Sequence, residues 1–176
     1  MPVTDVIPEG GLEVLETFDP ARPITFSSGC HAAIVAVDPD TGAVEVLRYV
    51  IAHDTGKAIN QLTLEGQILG GYAHGLGYAM FESAAYDAEG TPKSASFLDY
   101  SIPSAGEVTS TPILVHIETP TDSNPEGFKG AGESGTIPVP AAISAAVEDA
   151  IRQRRPDAVV DRIPITPDRI VELLAN

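Results

Sequence analysis

Five glycines interrupt a segment that otherwise has the apolar spacing of an α-helix. The segment is LTLEGQILGGYAHGLGYAMFE, residues 62–82. Its larger apolar side chains repeat on one helical face, at Leu69, Tyr72, Leu76 and Met80. Each glycine inside a helix costs about 1 kcal/mol relative to alanine, so five of them would prevent an isolated helix from forming. The sequence therefore predicts a helix here only if something packs closely against it.

The close neighbour of this helix is either a ligand or another part of the protein. Four residues lie on one face, at spacings of four, three and four: Gln67, Gly71, His74 and Tyr78. The bare backbone at Gly71 would let a flat ligand approach between the polar side chains. Glycines serve tight helix crossings equally well, and His74 would then be an ordinary polar residue with satisfied hydrogen bonds. Composition leaves both interpretations open.

A second glycine-rich segment, FKGAGESGT at residues 128–136, surrounds the single carboxylate of Glu133. It belongs to a long loop, predicted over residues 119–137, and loops of that length are often functional. A glutamate just before a helix usually caps the helix or favours the positive end of its dipole. Flanking glycines better suit a loop that presses against a ligand while one carboxylate projects into the site as a general base. Lys129 could lie near that carboxylate or bind the ligand instead.

The other segments predict a mixed α+β domain without regular βαβ alternation. Residues 31–54 hold two alternating apolar runs around the turn sequence DPDTG, which indicates a β-hairpin. A second hairpin is predicted over residues 84–100, turning at Glu89-Gly90, and a further strand over 112–118. The predicted domain, residues 23–176, follows an extended arm at residues 1–22 that includes the strand-like run LEVLETF.

Two further helices are predicted in the C-terminal third of the chain. The first covers residues 140–154, with proline in its first turn and the basic run RQRR at its C-terminal end, where the helix dipole favours positive charge. Its buried stripe is predicted to be Ile143, Val147, Ala150 and Ile151. The second helix is ITPDRIVELLA, with Thr166 as N-cap and Pro167 at the first helical position.

Charge and cysteine content exclude several classes of protein. The 176 residues include 25 Asp and Glu against 10 Lys and Arg, a formal net charge of −15, which disfavours nucleic acid and anionic membrane surfaces as partners. Cys30 is the single cysteine, so the chain cannot form an intrachain disulfide or hold an iron–sulfur cluster. We expect Cys30 to be a small buried apolar residue. Neither a signal peptide nor a membrane-spanning run is present in the sequence, and we expect a cytoplasmic, soluble protein.

Three segments in this order resemble a known family: DTGKAINQLTLEGQILGGYAHGLGYAMFE, LDYSIPSA and PEGFKGAGESGTIPVPAAISAAVEDAI. They are similar to the C-terminal part of the molybdenum-binding subunit of the xanthine dehydrogenase family. That family includes aldehyde oxidoreductases, carbon monoxide dehydrogenase and bacterial N-heterocycle hydroxylases. The resemblance covers residues 11–174, nearly the whole chain.

The resemblance implies a molybdenum–pterin cofactor, in its cytosine dinucleotide form, and a catalytic role for Glu133. In the family this glutamate takes a proton from a hydroxide on the molybdenum, so that the oxygen can attack the substrate. The implied cofactor-binding residues lie on the two glycine-rich segments: Gln67, Gly71, His74, Gly75, Lys129, Gly130, Ala131, Gly132 and Ser134. His74 departs from the family, which has a glutamine at that position.

The resemblance also implies partner chains, because molybdenum-binding subunits of this family are several times longer. The GGxFGxK segment and most substrate-pocket residues of the family are absent here. We therefore expect a split subunit, or an isolated C-terminal piece, that works with a second molybdenum-binding chain, a chain with 2Fe–2S clusters and a chain with FAD. The implied reaction is hydroxylation of an N-heteroaromatic compound or an aldehyde, with water as the oxygen source. The alternative is a non-catalytic scaffold subunit that retains the fold.

Overall fold

The computed structural model describes residues 11, 13–17 and 24–175. It contains, in chain order, β1 (Ser28–Val37), β2 (Val44–Asp54), α1 (Gln61–Met80), β3 (Ile113–Ile117), α2 (Val139–Arg152) and α3 (Pro167–Ala175). The predicted α+β class is confirmed. Most of the expected N-terminal arm, residues 1–22, lies outside the described residues, as do both ends of the run LEVLETF. Residues 13–17 of that run are exposed and form no strand.

The three strands form one sheet in the order β1-β2-β3. β1 and β2 pair antiparallel, with a bulge between Ile34 and Val35, so the first predicted hairpin is confirmed. Its turn is held by the Asp38 carboxylate, which accepts hydrogen bonds from the backbone N–H of Asp40 at 2.9 Å and of Thr41 at 3.1 Å. β3 pairs with β2 in parallel. A parallel pair needs a long crossover connection, and α1 lies within it.

The second predicted hairpin, at residues 84–100, is wrong except for its turn. One isolated antiparallel bridge joins Tyr86 to Pro92 across the glycine turn, and no strand extends from it. Asp87 closes the turn by accepting from the N–H groups of Glu89 and Thr91. Pro92 lacks an N–H group, so it cannot continue a ladder of hydrogen bonds.

Helices α1 and α2 cover one face of the sheet. Tyr49 and Ile51 of β2 point into this layer, and the rings of Tyr49 and Tyr72 lie 4.6 Å apart between centroids. The fully buried side chains of the core come from β2, α1, α2 and the C-terminal segment: Tyr49, Ile51, Ile68, Tyr72, Leu76, Val139, Ile143, Val147, Ile151, Ile165 and Ile170. Both C-terminal helices lie where they are predicted. In α2, Arg152 pairs with Glu148 at 2.8 Å in the last turn.

The opposite face of the sheet is apolar but uncovered by the described part of the chain. Register places Cys30, Ala52 and Val115 side by side on this face. Cys30 is exposed, so the prediction that it is buried is wrong. Apolar side chains on both faces are typical of strands that are buried on both sides. Exposed branched residues of this face include Ile34, Ile113, Val115 and Ile117.

No helix within the described residues is long and apolar enough to cross a membrane.

Two histidines, the buried His53 and the half-buried His31, predict that the stability of the protein depends on pH. Burial lowers the pKa of His31 and of His53 below the ordinary 6.5, and His116 lowers that of His53 further. Below about pH 6.5 the unfolded chain therefore binds more protons than the folded chain. The free energy of unfolding should fall as the pH drops from 7 to 5, by up to about 1.4 kcal/mol per pH unit for each such proton.

Denaturant unfolding of the protein at several pH values measures this slope. His53→Leu should reduce the slope, because it removes a titrating group that is 1% exposed. An identical slope in the His53→Leu variant would contradict the prediction.

Candidate active site

A cleft of about 730 Å³ lies between α1 and the glycine-rich loop. Its volume is within the usual range for small-molecule sites. Residues from α1, the loop and the first turn of α2 line it: Gly66, Gln67, Gly70, Gly71, His74, Tyr78, Gly132, Glu133, Thr136, Ile137 and Pro140. The two glycine-rich segments of the sequence thus form the two walls of one cavity.

Helix α1 presents its polar face to the cleft. Asn60 caps the helix, and its side-chain oxygen accepts from the N–H of Thr63 at 3.1 Å. The prediction that these residues share one helical face is confirmed, because Gln67, His74 and Tyr78 all line the cleft. The rings of His74 and Tyr78 lie 4.4 Å apart between centroids. His74 is exposed, so it is available to a ligand in the cleft.

The Glu133 carboxylate is exposed and belongs to the cleft wall. Its backbone carbonyl accepts from the N–H groups of Thr136 at 2.9 Å and Ile137 at 3.2 Å, which makes a turn just before α2. The N-cap position of α2 is occupied by Pro138, and no side chain caps the helix. Glu133 is therefore not a helix cap. Among the described residues, its carboxylate has neither a hydrogen bond nor an ion pair.

Several glycines of the site lie where a larger side chain would clash with a neighbouring segment of the protein. A β-carbon on Gly75 would lie 2.6 Å from the Val139 side chain and 2.8 Å from the Thr136 carbonyl oxygen. One on Gly71 would lie 2.8 Å from Thr136 Oγ1, and one on Gly135 would overlap the carbonyl of Ile68. The close approach at Gly71 and Gly75 is thus made by the loop that carries Glu133, as the helix-crossing interpretation requires.

Other glycines of the site have free space where a side chain would lie. A β-carbon on Gly66 or Gly70 would meet nothing within 4 Å among the described residues, and both glycines line the cleft. These two positions, rather than Gly71 alone, offer bare helix backbone to a ligand. They are not among the predicted site residues, although their signal is present in the sequence, since residues 66, 70 and 74 lie one above another at helical spacing.

Gln67 ties the two walls of the cleft together. Its side-chain amide donates a hydrogen bond to the carbonyl oxygen of Gly132 at 2.8 Å. A smaller cavity of about 350 Å³ shares Gln67 and Gly132 with the cleft and includes Lys129 and Ala131 in its lining. Gln67 thus lies between the two cavities and fixes the residue next to Glu133.

Lys129 has a partner that its position in the sequence did not suggest. Its ammonium group lies 3.3 Å from the carboxylate of Asp54, and the two side chains are only 13% and 11% exposed. Neither residue lines the large cleft. Of the other predicted site residues, Gly75, Gly130, Ala131 and Ser134 also lie outside that lining. The Ser134 hydroxyl donates to the carbonyl oxygen of Ala131 at 3.1 Å, within the loop itself.

Comparison with known proteins identifies the family. The family model described as "Molybdopterin cofactor-binding domain" matches residues 9–109, more than half of the chain. The chain belongs to the molybdopterin cofactor-binding domain family. This match and the relatives described below confirm the resemblance that the three segments carry.

Relatives of this domain include enzyme large subunits and a xanthine dehydrogenase molybdenum-binding subunit of Escherichia coli. The nicotine 6-hydroxylase large subunit of Paenarthrobacter nicotinovorans is 43% identical over 93% of this chain and 20% of its own length. The crystal structure of quinoline 2-oxidoreductase from Pseudomonas putida 86 is 38% identical, with a TM-score of 0.79 over 85% of this chain and 19% of that one. The Cu,Mo-CO dehydrogenase structure is 32% identical, with a TM-score of 0.83 over 94% of this chain and 20% of that one. The chain thus spans about a fifth of the length of these relatives.

The packing of the two cleft walls predicts opposite effects for alanine at two neighbouring helical turns. Gly75→Ala should destabilise the protein by about 1–3 kcal/mol, because its methyl group must push Val139 and Thr136 away from α1. Gly70→Ala is the matched control in the same helix. Its methyl group would meet no neighbour among the described residues, so it should stabilise the fold by up to about 1 kcal/mol. Denaturant unfolding of both variants measures the difference, and equal stabilities would contradict this packing.

Proposed function

We propose that this chain is the part of a cytoplasmic molybdenum hydroxylase that carries the general base, Glu133. The observation that supports this most directly is the placement of one exposed carboxylate, without a partner among the described residues, in a cleft whose opposite wall is bare helix backbone. A carboxylate held free of competing donors is available to take a proton from a reacting group. Family membership supplies the class of cofactor against which it would act.

The cleft has features that fit a flat pterin ring. Gly66 and Gly70 leave space that a β-carbon would fill, and His74 can donate or accept a hydrogen bond at the edge of a bound ring. When bound, the molybdenum–pterin group supplies a Lewis-acidic metal that acidifies water and accepts the electrons of the oxidation. The described lining contains neither lysine nor arginine. The phosphates of the dinucleotide form should therefore be bound by backbone amides or by another chain.

Three residues of the cleft wall have distinct roles in this proposal. Glu133 takes the proton that the nucleophilic water must lose, and it holds that proton on its carboxylate. Gln67 holds the carbonyl of Gly132 by a hydrogen bond. It thereby restricts where the side chain of the next residue, Glu133, lies in the cleft. His74 donates a hydrogen bond where the family has glutamine, and it can carry a charge where glutamine cannot.

We infer that the substrate is an N-heteroaromatic compound rather than an aldehyde. The nicotine 6-hydroxylase large subunit and quinoline 2-oxidoreductase are 43% and 38% identical to this chain. The aldehyde oxidoreductase of Megalodesulfovibrio gigas is 30% identical. The names of the first two proteins refer to compounds that contain a flat nitrogen heteroaromatic ring.

We propose that a second molybdenum-binding polypeptide covers the open face of the sheet. The relatives are about five times longer than this chain, which resembles their C-terminal part. The open face carries exposed Ile113, Val115 and Ile117 in a row on β3. Obligate interfaces are large and apolar. The iron–sulfur and flavin chains complete the proposed enzyme by passing electrons onward.

Replacing the proposed base tests the function directly. Glu133→Gln keeps the size of the side chain and removes its basicity, so hydroxylation by the assembled enzyme should fall by at least about 10²–10⁴-fold. Molybdenum and pterin contents should stay at wild-type levels. Glu126→Gln is the matched control, because Glu126 is exposed in the same long loop and does not line the cleft. Turnover within a few-fold of wild type in a fully loaded Glu133→Gln enzyme would exclude Glu133 as the base.

A charge on the open sheet face tests the proposed partner. Val115→Lys should abolish copurification with the second molybdenum-binding chain, because a lysine at this place would be buried without a counter-charge. Val159→Lys is the control, since Val159 is 52% exposed and lies outside the sheet. If the Val115→Lys variant still copurifies with the partner chain, the interface does not include this face of the sheet.

A further inference from the structure

Asp54, the last residue of β2, joins three segments of the chain. Its side chain accepts hydrogen bonds from the N–H of Gly56 at 2.9 Å and the N–H of Thr119 at 3.1 Å, and it pairs with Lys129 at 3.3 Å. The residue is 8% exposed. The loop after β2, the loop after β3 and the start of the glycine-rich segment therefore meet at one buried carboxylate.

The charge of this carboxylate is stabilised by its donors. Burial alone would raise the pKa of Asp54, but hydrogen bonds from Thr119, Gly56 and Lys129 outweigh burial and hold the pKa well below its ordinary value. The group stays ionised at neutral pH, so the contact with Lys129 is a buried ion pair. Removing one partner of such a pair leaves the other charge uncompensated, which is strongly destabilising.

Backbone contacts continue from this ion pair into the loop. The N–H of Lys129 donates to the carbonyl of Thr55 at 2.8 Å, and the N–H of Lys57 donates to the carbonyl of Gly127 at 3.1 Å. Gly56 pairs with Phe128 in an antiparallel bridge. Gly56 has a φ of +67°, and a β-carbon there would overlap the Gly127 carbonyl. The start of the glycine-rich loop is thus fixed to the end of β2.

The far end of the loop is also fixed, and the middle is open. Gln67 holds the carbonyl of Gly132, and Gly135 packs against the backbone of Ile68. Between Lys129 and these contacts, a β-carbon on Gly130 would meet nothing within 4 Å among the described residues, and the same holds at Gly132, where Gln67 holds the carbonyl. Such a segment has high conformational freedom, so the position of Glu133 depends on how firmly the two ends of the loop are held.

We propose that Asp54 and Lys129 are positioning residues that set the place of the Glu133 carboxylate in the cleft. They act through the backbone of residues 129–132. Neither lines the large cleft, so neither is a catalytic residue in this proposal. Its consequence for catalysis rests on the proposed function of Glu133, whereas its consequence for the mobility of the loop does not.

Four variants of the assembled enzyme test the proposal: Asp54→Asn, Lys129→Met, the double variant and Lys129→Arg. Each single neutral variant should speed hydrogen exchange of the amides at 128–136 by at least about tenfold. Each should lower kcat by about 10–100-fold, with KM within about twofold and normal cofactor content, because the base is displaced and the substrate contacts remain. Lys129→Arg keeps the positive charge, so its amide exchange at 128–136 and its kcat should both stay near the wild-type values.

The double variant separates positioning from stability. It leaves no uncompensated buried charge, so its global stability should recover relative to either single variant. Its kcat and loop exchange should nevertheless stay impaired, because the anchor is missing. Recovery of kcat and exchange together with stability would reduce the pair to a structural role and overturn the proposal.

A control ion pair and an independent readout complete the design. Glu148→Gln breaks the pair with Arg152 on α2, away from the cleft lining, and should leave exchange of 128–136 unchanged. Fast exchange in that variant as well would indicate general loosening and would contradict a specific anchor. Exchange is measured without turnover, so the anchor and the role of Glu133 as base can fail separately.

Discussion

The contact between helix α1 and the loop at residues 133–139 determines the rest of this structure. It is possible only because Gly71, Gly75 and Gly135 lack side chains, so that the backbones of the two segments and the side chains of Thr136 and Val139 can approach closely. The buried apolar face of α1, with Ile68 and Tyr72, then packs on the sheet and supports the helix despite its poor propensity. The same contact makes the cleft, since it brings the Glu133 carboxylate opposite the polar face of the helix.

The glycines that face the cleft differ physically from those in the contact. Gly71 and Gly75 are explained by the protein atoms beside them, whereas Gly66 and Gly70 have none within reach of a β-carbon in the described structure. Each of the open pair still costs about 1 kcal/mol relative to alanine. No packing within the described residues offsets that cost, so we propose that these glycines accommodate a ligand that enters the cleft. A flat cofactor lying on bare backbone is such a ligand, and it is consistent with the family to which the chain belongs.

Local sequence patterns predicted the strands and helices, because these elements depend mainly on residues that are close together in the sequence. The first hairpin, β3, α1, α2 and α3 were all predicted close to their observed bounds, and helical spacing alone placed Gln67 and His74 on the face that lines the cleft. Long-range partners could not be predicted in this way. Lys129 and Asp54 are 75 residues apart, and nothing in either segment indicates the other. The predicted burial of Cys30 was wrong for a related reason, because alternation shows that a strand has two faces but not which of them its own chain covers.

The open sheet face needs a covering surface, and the cleft needs a group that binds the phosphates of the cofactor. The described cleft lining supplies a carboxylate, ring edges and bare backbone, but it contains neither lysine nor arginine. A dinucleotide cofactor is anionic, and a chain with a formal net charge of −15 repels it at long range. Backbone amides or a second polypeptide surface should therefore bind the phosphates. Because strands that are apolar on both faces require a cover on both, one partner that packs against β3 and reaches the cleft would satisfy both requirements.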